Sequence, residues 1–159
     1  MTDTLTFRLA NAEDIERIRA LTLRAYEKWV SITPQKPRPM TADYNASFLI
    51  NRFDLLLDNG VLVGLVETVR QGDELMIINV AVEPTHQGRG LGRRLMAQAE
   101  ALAQAASLLA TRLYTNKLMI ENIALYEKLG YQLEKETQHD LGTIAVHMVK
   151  HLNERQRSK

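Results

Sequence analysis

Cysteine is absent from all 159 residues, which excludes disulfides, thiolate metal ligands and a cysteine nucleophile. An excess of one charge is missing too. Twenty Lys and Arg against nineteen Asp and Glu leave a formal +1, so the whole molecule exerts no pull on nucleic acid or an anionic membrane. No apolar run approaches the roughly 20 residues that span a bilayer, and Met1-Thr2-Asp3-Thr4 lacks the basic and then apolar pattern of a signal peptide. Cytoplasmic residence, with neither nucleic acid nor membrane as partner, is the expectation. The four histidines, His86, His139, His147 and His151, form no i, i+4 pair on an expected helix and stand near no carboxylate cluster, so no metal site is expected. Repeats, low-complexity blocks and interdomain linkers are also missing. A chain of this length with 45% hydrophobic residues can bury one sizeable core. One domain is expected over residues 1–150, with a polar, basic tail over 151–159.

What is present is strongly patterned. Leu5, Phe7 and Leu9 alternate with polar neighbours as in a half-buried strand, and Asn11 supplies an N-cap. Ile15, Ile18, Leu21, Ala25 and Trp29 then form one apolar helix face, ended by Pro34, Pro37 and Pro39. Thr41 is the expected cap of a shorter helix carrying Tyr44, Phe48 and Leu49. Strands over 53–57 and 61–69 flank the hairpin turn Asp58-Asn59-Gly60. After Gln71-Gly72-Asp73, the run Leu75 to Val82 is almost continuously apolar and reads as a central strand covered on both faces. Leu91, Leu95, Met96, Ala99, Leu102 and Ala106 mark a long helix. A strand over 111–115, a helix over 118–129 closed by Gly130, and strands over 131–137 and 143–149 complete the chain. The order βααβββαβαββ predicts an α/β (α+β) domain, one mixed sheet with helices packed on both faces.

Between the central strand and the long helix lies Gln87-Gly88-Arg89-Gly90-Leu91-Gly92. A glycine-rich turn at a strand-to-helix junction lets backbone amides converge on an anion, aided by the positive helix N-terminus. Arg89, Arg93 and Arg94 add candidate charge-assisted contacts to phosphate. Spacing selects the ligand. The glycines run G-x-G-x-G rather than G-x-G-x-x-G, which disfavours a dinucleotide site. No Lys-Ser or Lys-Thr pair follows, which disfavours a nucleotide-hydrolysing phosphate loop.

The segment Asn79-Val80-Ala81-Val82-Glu83-Pro84-Thr85-His86-Gln87-Gly88-Arg89-Gly90-Leu91-Gly92 resembles the acetyl-CoA motif of the GNAT superfamily of N-acetyltransferases, V-x-P followed by [QR]-x-x-G-x-[GA]. Asn122-Ile123-Ala124-Leu125-Tyr126-Glu127-Lys128-Leu129-Gly130-Tyr131 resembles a second signature of that superfamily, and the element order matches along essentially the whole chain. The resemblance implies acetyl-CoA as co-substrate, with no metal. It implies that the central strand splays from its neighbour and that pantetheine pairs with the backbone of Val80, Ala81 and Val82. The amides from Gln87 through Gly88, Arg89, Gly90, Leu91 and Gly92 to Arg93 would hold the pyrophosphate. Tyr126 matches the tyrosine that protonates the departing thiolate, although on its residues alone, with Leu118, Leu125 and Leu129 on the same helix, it reads as helix core.

Two positions depart from the family pattern. Met119 stands where an asparagine is common, seven residues before the tyrosine, and Asn122 stands where a small residue is common. Asn122 and Asn116 are therefore candidates for polar contacts to pantetheine, with a solvated Asn and a helix cap as their plain alternatives. Ile78 replaces a glutamate that serves many relatives as general base. Glu67, Glu74 or a water held by Asn79 are the substitutes, with Glu67 taken as the candidate base. The family resemblance places the acceptor among the first two helices, which makes Tyr26, Trp29, Asp43, Tyr44 and the bend Pro34 to Met40 candidate pocket residues, Asp43 as a partner for a cationic amine. The expected activity is acetyl transfer to a primary amine of a small molecule or protein. The alternative is an acyl-CoA sensor that has lost turnover. A homodimer stays open.

Overall fold

The computed structural model describes residues 4–139 and 142–152. Met1 to Asp3, read above for a leader, and residues 153–159 of the expected tail lie outside the described residues. Strand β1 is Leu5–Leu9, and the turn after it is closed by a capping box. Asn11 Oδ1 accepts from the Glu13 amide at 2.9 Å, and the Asp14 carboxylate accepts from the Asn11 amide at 2.8 Å. Asp14 is also gripped by Arg8 at 2.7 and 2.8 Å. Helix α1, Ile15–Tyr26, follows.

The proline bend then contains a one-turn helix, α2 at Arg38–Thr41, which the sequence reading lacks. Helix α3, Tyr44–Ile50, is capped by Asp43 rather than Thr41. The Asp43 carboxylate accepts from the amides of Asn45 and Ala46 at 3.1 and 3.2 Å. Leu49, expected on the apolar face, is exposed, while Phe48 stacks on Phe53.

Seven strands make one sheet in the order β1-β2-β3-β4-β5-β7-β6, with β2 at Arg52–Asp58, β3 at Val61–Gln71, β4 at Glu74–Val82, β5 at Ala110–Asn116, β6 at Gln132–Gln138 and β7 at Ile144–His151. β7 thus extends past the expected boundary at 150, and Leu152 is buried beyond it. Helix α4, Leu91–Ala105, precedes β5, and helix α5, Ile120–Lys128, follows it.

Helices cover both faces as expected. Ile18 and Leu21 of α1 pack with Leu55, Leu65 and Ala81, whereas Leu95 and Met96 of α4 pack with Leu56, Val66 and Ile77 on the other face. Within β4 the two sets do not follow simple alternation. Leu75, Ile77, Val80 and Val82 belong to the α4 side, and Ala81 to the α1 side. The cause is a β-bulge. Glu67 of β3 pairs with Asn79 while Thr68 pairs with Ile77, so Ile78 has no partner. One inserted residue flips every side chain beyond it, and Asn79 is turned toward α1.

Candidate active site

The β4–β5 pairing is parallel and short. Glu74, Leu75 and Met76 pair with Ala110, Thr111 and Arg112, and beyond them the strands diverge. A cleft of about 620 Å³ opens between Ile77 to Val80 on one side and Leu113 to Asn116 on the other. A second cavity of about 360 Å³ continues along β4 to the start of α4. Tyr26, Val80, Asn122 and Tyr126 line both, so the two spaces meet there.

The glycine segment forms the far end of this path. Gly88 and Gly90 sit at φ +83° and +78°, left-handed backbone that disfavours any other residue. A Cβ at either would meet no protein atom within 4 Å, so the backbone is open on that side. Gly92 serves packing instead, since its Cβ would lie 3.5 Å from Leu125 Cδ2. Gly90 is the N-cap of α4, and no side chain bonds the first-turn amides, which leaves the helix N-terminus free to receive an anion. Lys28 and Arg93 are the charged side chains lining this cavity among the described residues, and no carboxylate does. That donor set fits a diphosphate. Gln87 braces the loop, its amide donating to Val82 O at 3.1 Å and its carbonyl accepting from Lys28 at 3.2 Å. Trp29 is buried here under Lys28, so it lines the anion side of the path rather than the large cleft. Arg89 is exposed on the loop.

Past the splay, β4 presents a backbone edge that no strand covers. The Val80 carbonyl accepts from the Tyr26 hydroxyl at 3.3 Å, and the Val82 carbonyl accepts from the Gln87 side chain named above. Ala81 is fully buried between the sheet and α1. Asn79 anchors the α1 side of the strand. Its Oδ1 accepts from Tyr26 Oη at 2.9 Å, and its amide donates to Thr22 Oγ1 and Tyr44 Oη at 3.2 and 3.3 Å. With three protein partners, Asn79 is a buried brace.

Tyr126 lies with one side of its ring against the core and the Tyr131 ring 6.2 Å away. Its hydroxyl has no hydrogen-bond partner among the described residues, and burial pushes its pKa up to about 12. Glu67 is 2% exposed, although it borders the large cleft. Its Oε2 accepts from Asn51 Nδ2 at 2.7 Å, and burial holds its carboxyl above the ordinary value. Glu74 is elsewhere, paired with Arg112 at 2.9 Å, which lowers its pKa. Tyr26 and Tyr44 border the cleft, whereas Asp43 spends its carboxylate capping α3. Asn116 caps the turn to α5 by accepting from the Leu118 amide at 2.9 Å and also lines the cleft, and Asn122 touches Met119 Sδ at 3.7 Å. Sequence reasoning missed Asn51, Lys28 and the bulge. The lone Asn79 inside an apolar run was the one signal pointing to an irregular strand.

A splayed sheet leading to a helix-terminal anion cradle defines an acyl-CoA-type transfer site. Residues 15–131 match the Acetyltransferase (GNAT) family, and the chain belongs to it; it is an N-acetyltransferase, with acetyl-CoA as the donor of that chemistry. Solved structures share the fold. The ribosomal-protein-S18-alanine N-acetyltransferase of Escherichia coli is 21% identical, with 94% of each chain covered and a TM-score of 0.72. The PaiA N-acetyltransferase of Thermoplasma acidophilum, in complex with coenzyme A, is 17% identical over 96% of this chain and 100% of its own, with a TM-score of 0.77. A GNAT family acetyltransferase of Elizabethkingia anophelis with acetyl-CoA bound is 16% identical over 95% and 100%, with a TM-score of 0.73. Among the described residues, no helix is long and apolar enough to cross a membrane, and no three His, Cys, Asp or Glu cluster as metal ligands.

Proposed function

We propose that the protein transfers an acetyl group directly to a primary amine held in the 620 Å³ cleft, with Glu67 as general base and Tyr126 as general acid. One observation carries this reading: a buried carboxylate and an unpartnered phenol border the same cleft, the phenol where the cleft meets the anion cradle. Bound acetyl-CoA would supply the activated acyl carbon and a thiol leaving group. The amides from Gln87 to Arg93, with Lys28 and Arg93, hold the diphosphate. The open backbone of Val80 and Val82 holds the pantetheine arm by strand-like pairing, in exchange for the Tyr26 and Gln87 contacts, and Asn116 and Asn122 border its path.

Glu67 accepts the ammonium proton. A carboxylate held above its ordinary pKa is a stronger base than a solvated one, and it lies nearer the amine in proton affinity. As the C–N bond forms and the C–S bond breaks, the Tyr126 hydroxyl gives its proton to sulfur, and the second proton that the nitrogen must lose passes to solvent. With a pKa near 12 it is fully protonated at neutral pH, and solvent resets both groups afterwards. Asn51 keeps Glu67 oriented, while Asn79 fixes Tyr26 and Tyr44, which border the same cleft.

Release of CoA thiol, measured over a panel of amines, tests the reading. Amine-dependent release in the intact chain, reduced about 100-fold or more in Tyr126→Phe, is the expected result. Tight acetyl-CoA binding in calorimetry with no amine raising release above hydrolysis would instead make the protein a sensor.

A further inference from the structure

We propose that the acceptor is a small amine that also carries an anionic group, its nitrogen at Glu67 and its anion met by Lys36 and Arg38. The inference rests on the amine-acetylating reading of the cleft and adds the class of acceptor to it.

One carboxylate and two basic side chains line the cleft among the described residues, Glu67, Lys36 and Arg38, with the imidazole of His139 beside them. Glu67 is deep, and the two cations are exposed at the bend. Several cations elsewhere on the molecule are matched by carboxylates. Arg8 pairs with Asp14, Arg24 with Glu83, Arg52 with Asp54, Arg112 with Glu74 and Lys150 with Glu100. Lys36 and Arg38 have no carboxylate partner among the described residues, and they stand two apart on the wall where an acceptor must enter.

The wall is built rather than loose. The buried Thr33 hydroxyl lies 3.1 Å from Trp29 O and 2.6 Å from Gln35 O. Pro37 is buried and leads into α2. At the far end, Tyr44 Oη donates to Pro39 O at 2.6 Å, so the bend is tied to the same Tyr44 that Asn79 holds. Pro34, Pro37 and Pro39 restrict the backbone between these ties. Two cations presented on a fixed bend cost less entropy on meeting an anion than two on a free loop.

Charge decides which acceptors this arrangement admits. A polyamine would bring further positive charge against Lys36 and Arg38, with Glu67 as the single carboxylate to offset it. An amine with a carboxylate or phosphate finds opposite charges at both ends: Glu67 for the ammonium, and a guanidinium fork beside an ammonium for the anion. The cleft suits a small molecule, since the bend, Gln138 at the end of β6 and Thr143 just before β7 all line one space of about 620 Å³.

The test compares amino carboxylates with their carboxamides and with a polyamine, by CoA thiol release at saturating acetyl-CoA, in the intact chain and in Lys36→Gln/Arg38→Gln. The double substitution is on the exposed bend and leaves the fold intact, which a thermal melt verifies. The intact chain is expected to favour the carboxylates, and the carboxylate-to-carboxamide ratio of kcat/KM to fall about 10-fold or more in the variant, with acetyl-CoA affinity unchanged. Preference of the intact chain for carboxamides or the polyamine, or the same ratio in both proteins, would overturn the inference and leave the transferase reading standing. Bound acetyl-CoA with no turnover of any amine would overturn the transferase reading, and this inference with it.

Discussion

Replacing Glu67 with Gln separates a base from a structural carboxylate. Glu67 is 2% exposed, and its carboxyl is held above the ordinary value chiefly by burial. The sign follows by linkage. A folded pKa above the unfolded one means that the associated stability is fully present below the unfolded pKa and is lost as pH rises through the folded pKa. Ionised Glu67 therefore burdens the fold at neutral pH. Gln removes the charge and keeps an oxygen for Asn51 Nδ2, now 2.7 Å from Oε2. A gain on the order of 1 kcal/mol is expected, a rise of about 2–4 °C in Tm by thermal melt. Activity should move the other way, by an amount the acceptor sets. Without a base, only amine that is already neutral reacts. For an amine of pKa about 10.4 that is roughly one molecule in 10³ at pH 7.5, whereas for an α-amine of pKa about 8 it is roughly one in four. The expected loss in kcat/KM at pH 7.5 is thus about 10³-fold for the basic amine and about 4-fold for the α-amine, shrinking about tenfold per pH unit for the basic one until its pKa is reached. In the intact enzyme kcat/KM is expected to fall as pH drops on an acid limb set by the raised Glu67 pKa, and in the variant that limb is replaced by one at the pKa of the amine. A loss with a basic amine that is equal at pH 7.5 and 9.5, or a fall in Tm, would refute the reasoning and make Glu67 structural.

Three other perturbations probe separate parts of the molecule. Tyr126→Phe keeps the ring that packs on the core and removes a hydroxyl without a partner among the described residues, so kcat should drop about 10²–10⁴-fold while Tm and acetyl-CoA affinity by calorimetry stay unchanged. Gly90→Ala places a Cβ on left-handed backbone at φ +78° beside the open amides, which should lower stability by about 1–2 kcal/mol and weaken acetyl-CoA binding about 10-fold or more, read by calorimetry. Asp14→Asn removes the charge that Arg8 grips and one of the two oxygens shared between Arg8 and the Asn11 amide, and should cost about 1–2 kcal/mol at pH 7. Arg8 holds the Asp14 carboxyl below its ordinary pKa, so its contribution is present above the unfolded pKa and lost as pH falls through the folded one; the Tm gap between intact and variant proteins should close in acid.

Much of this arrangement was readable from residue types because local chemistry carried it. Asn11, the turn at Asn59-Gly60 and the left-handed Gly130 at φ +98° each declare themselves by what their backbone or side chain can do. The glycine loop was legible for the same reason. Thr41 and Asp43 were not separable, since either fits a cap and only the docking of Tyr44 against Phe53 and Asn79 sets where α3 starts. The short α2 escaped notice because Pro37 and Pro39 read as breakers, although Pro37 stands at its N-cap and Pro39 in its first turn, where a proline is tolerated. The extent of β7 was hidden in the same way: Lys150 and His151 look like tail, but Lys150 pairs with Glu100 and Leu152 is buried.

The bulge at Ile78 was the least legible feature, and it bears most directly on the site. Apolar residues on both sides of Ile78 are compatible with either register, so hydrophobic pattern leaves the slip undetermined. Once Ile78 is unpaired, Asn79 turns to α1 and gathers Tyr26 and Tyr44, and Glu67 comes opposite Asn79 across the β3–β4 pair. Ile78 and Glu67 then border one cleft from adjacent strands. A carboxylate missing from β4 can therefore be supplied from β3 without moving the acceptor, because the two positions open on the same space. On the proposed reading, an apolar Ile78 at the cleft would bring less water to the amine than a glutamate, and a less hydrated Glu67 carboxylate would hold its proton more tightly. On this reasoning, the departure at Ile78 and the burial of Glu67 are two parts of one change, and Ile78→Gln should lower the pH of the acid limb in kcat/KM by hydrating Glu67. An acid limb at the same pH in that variant would show that Glu67 titrates independently of position 78.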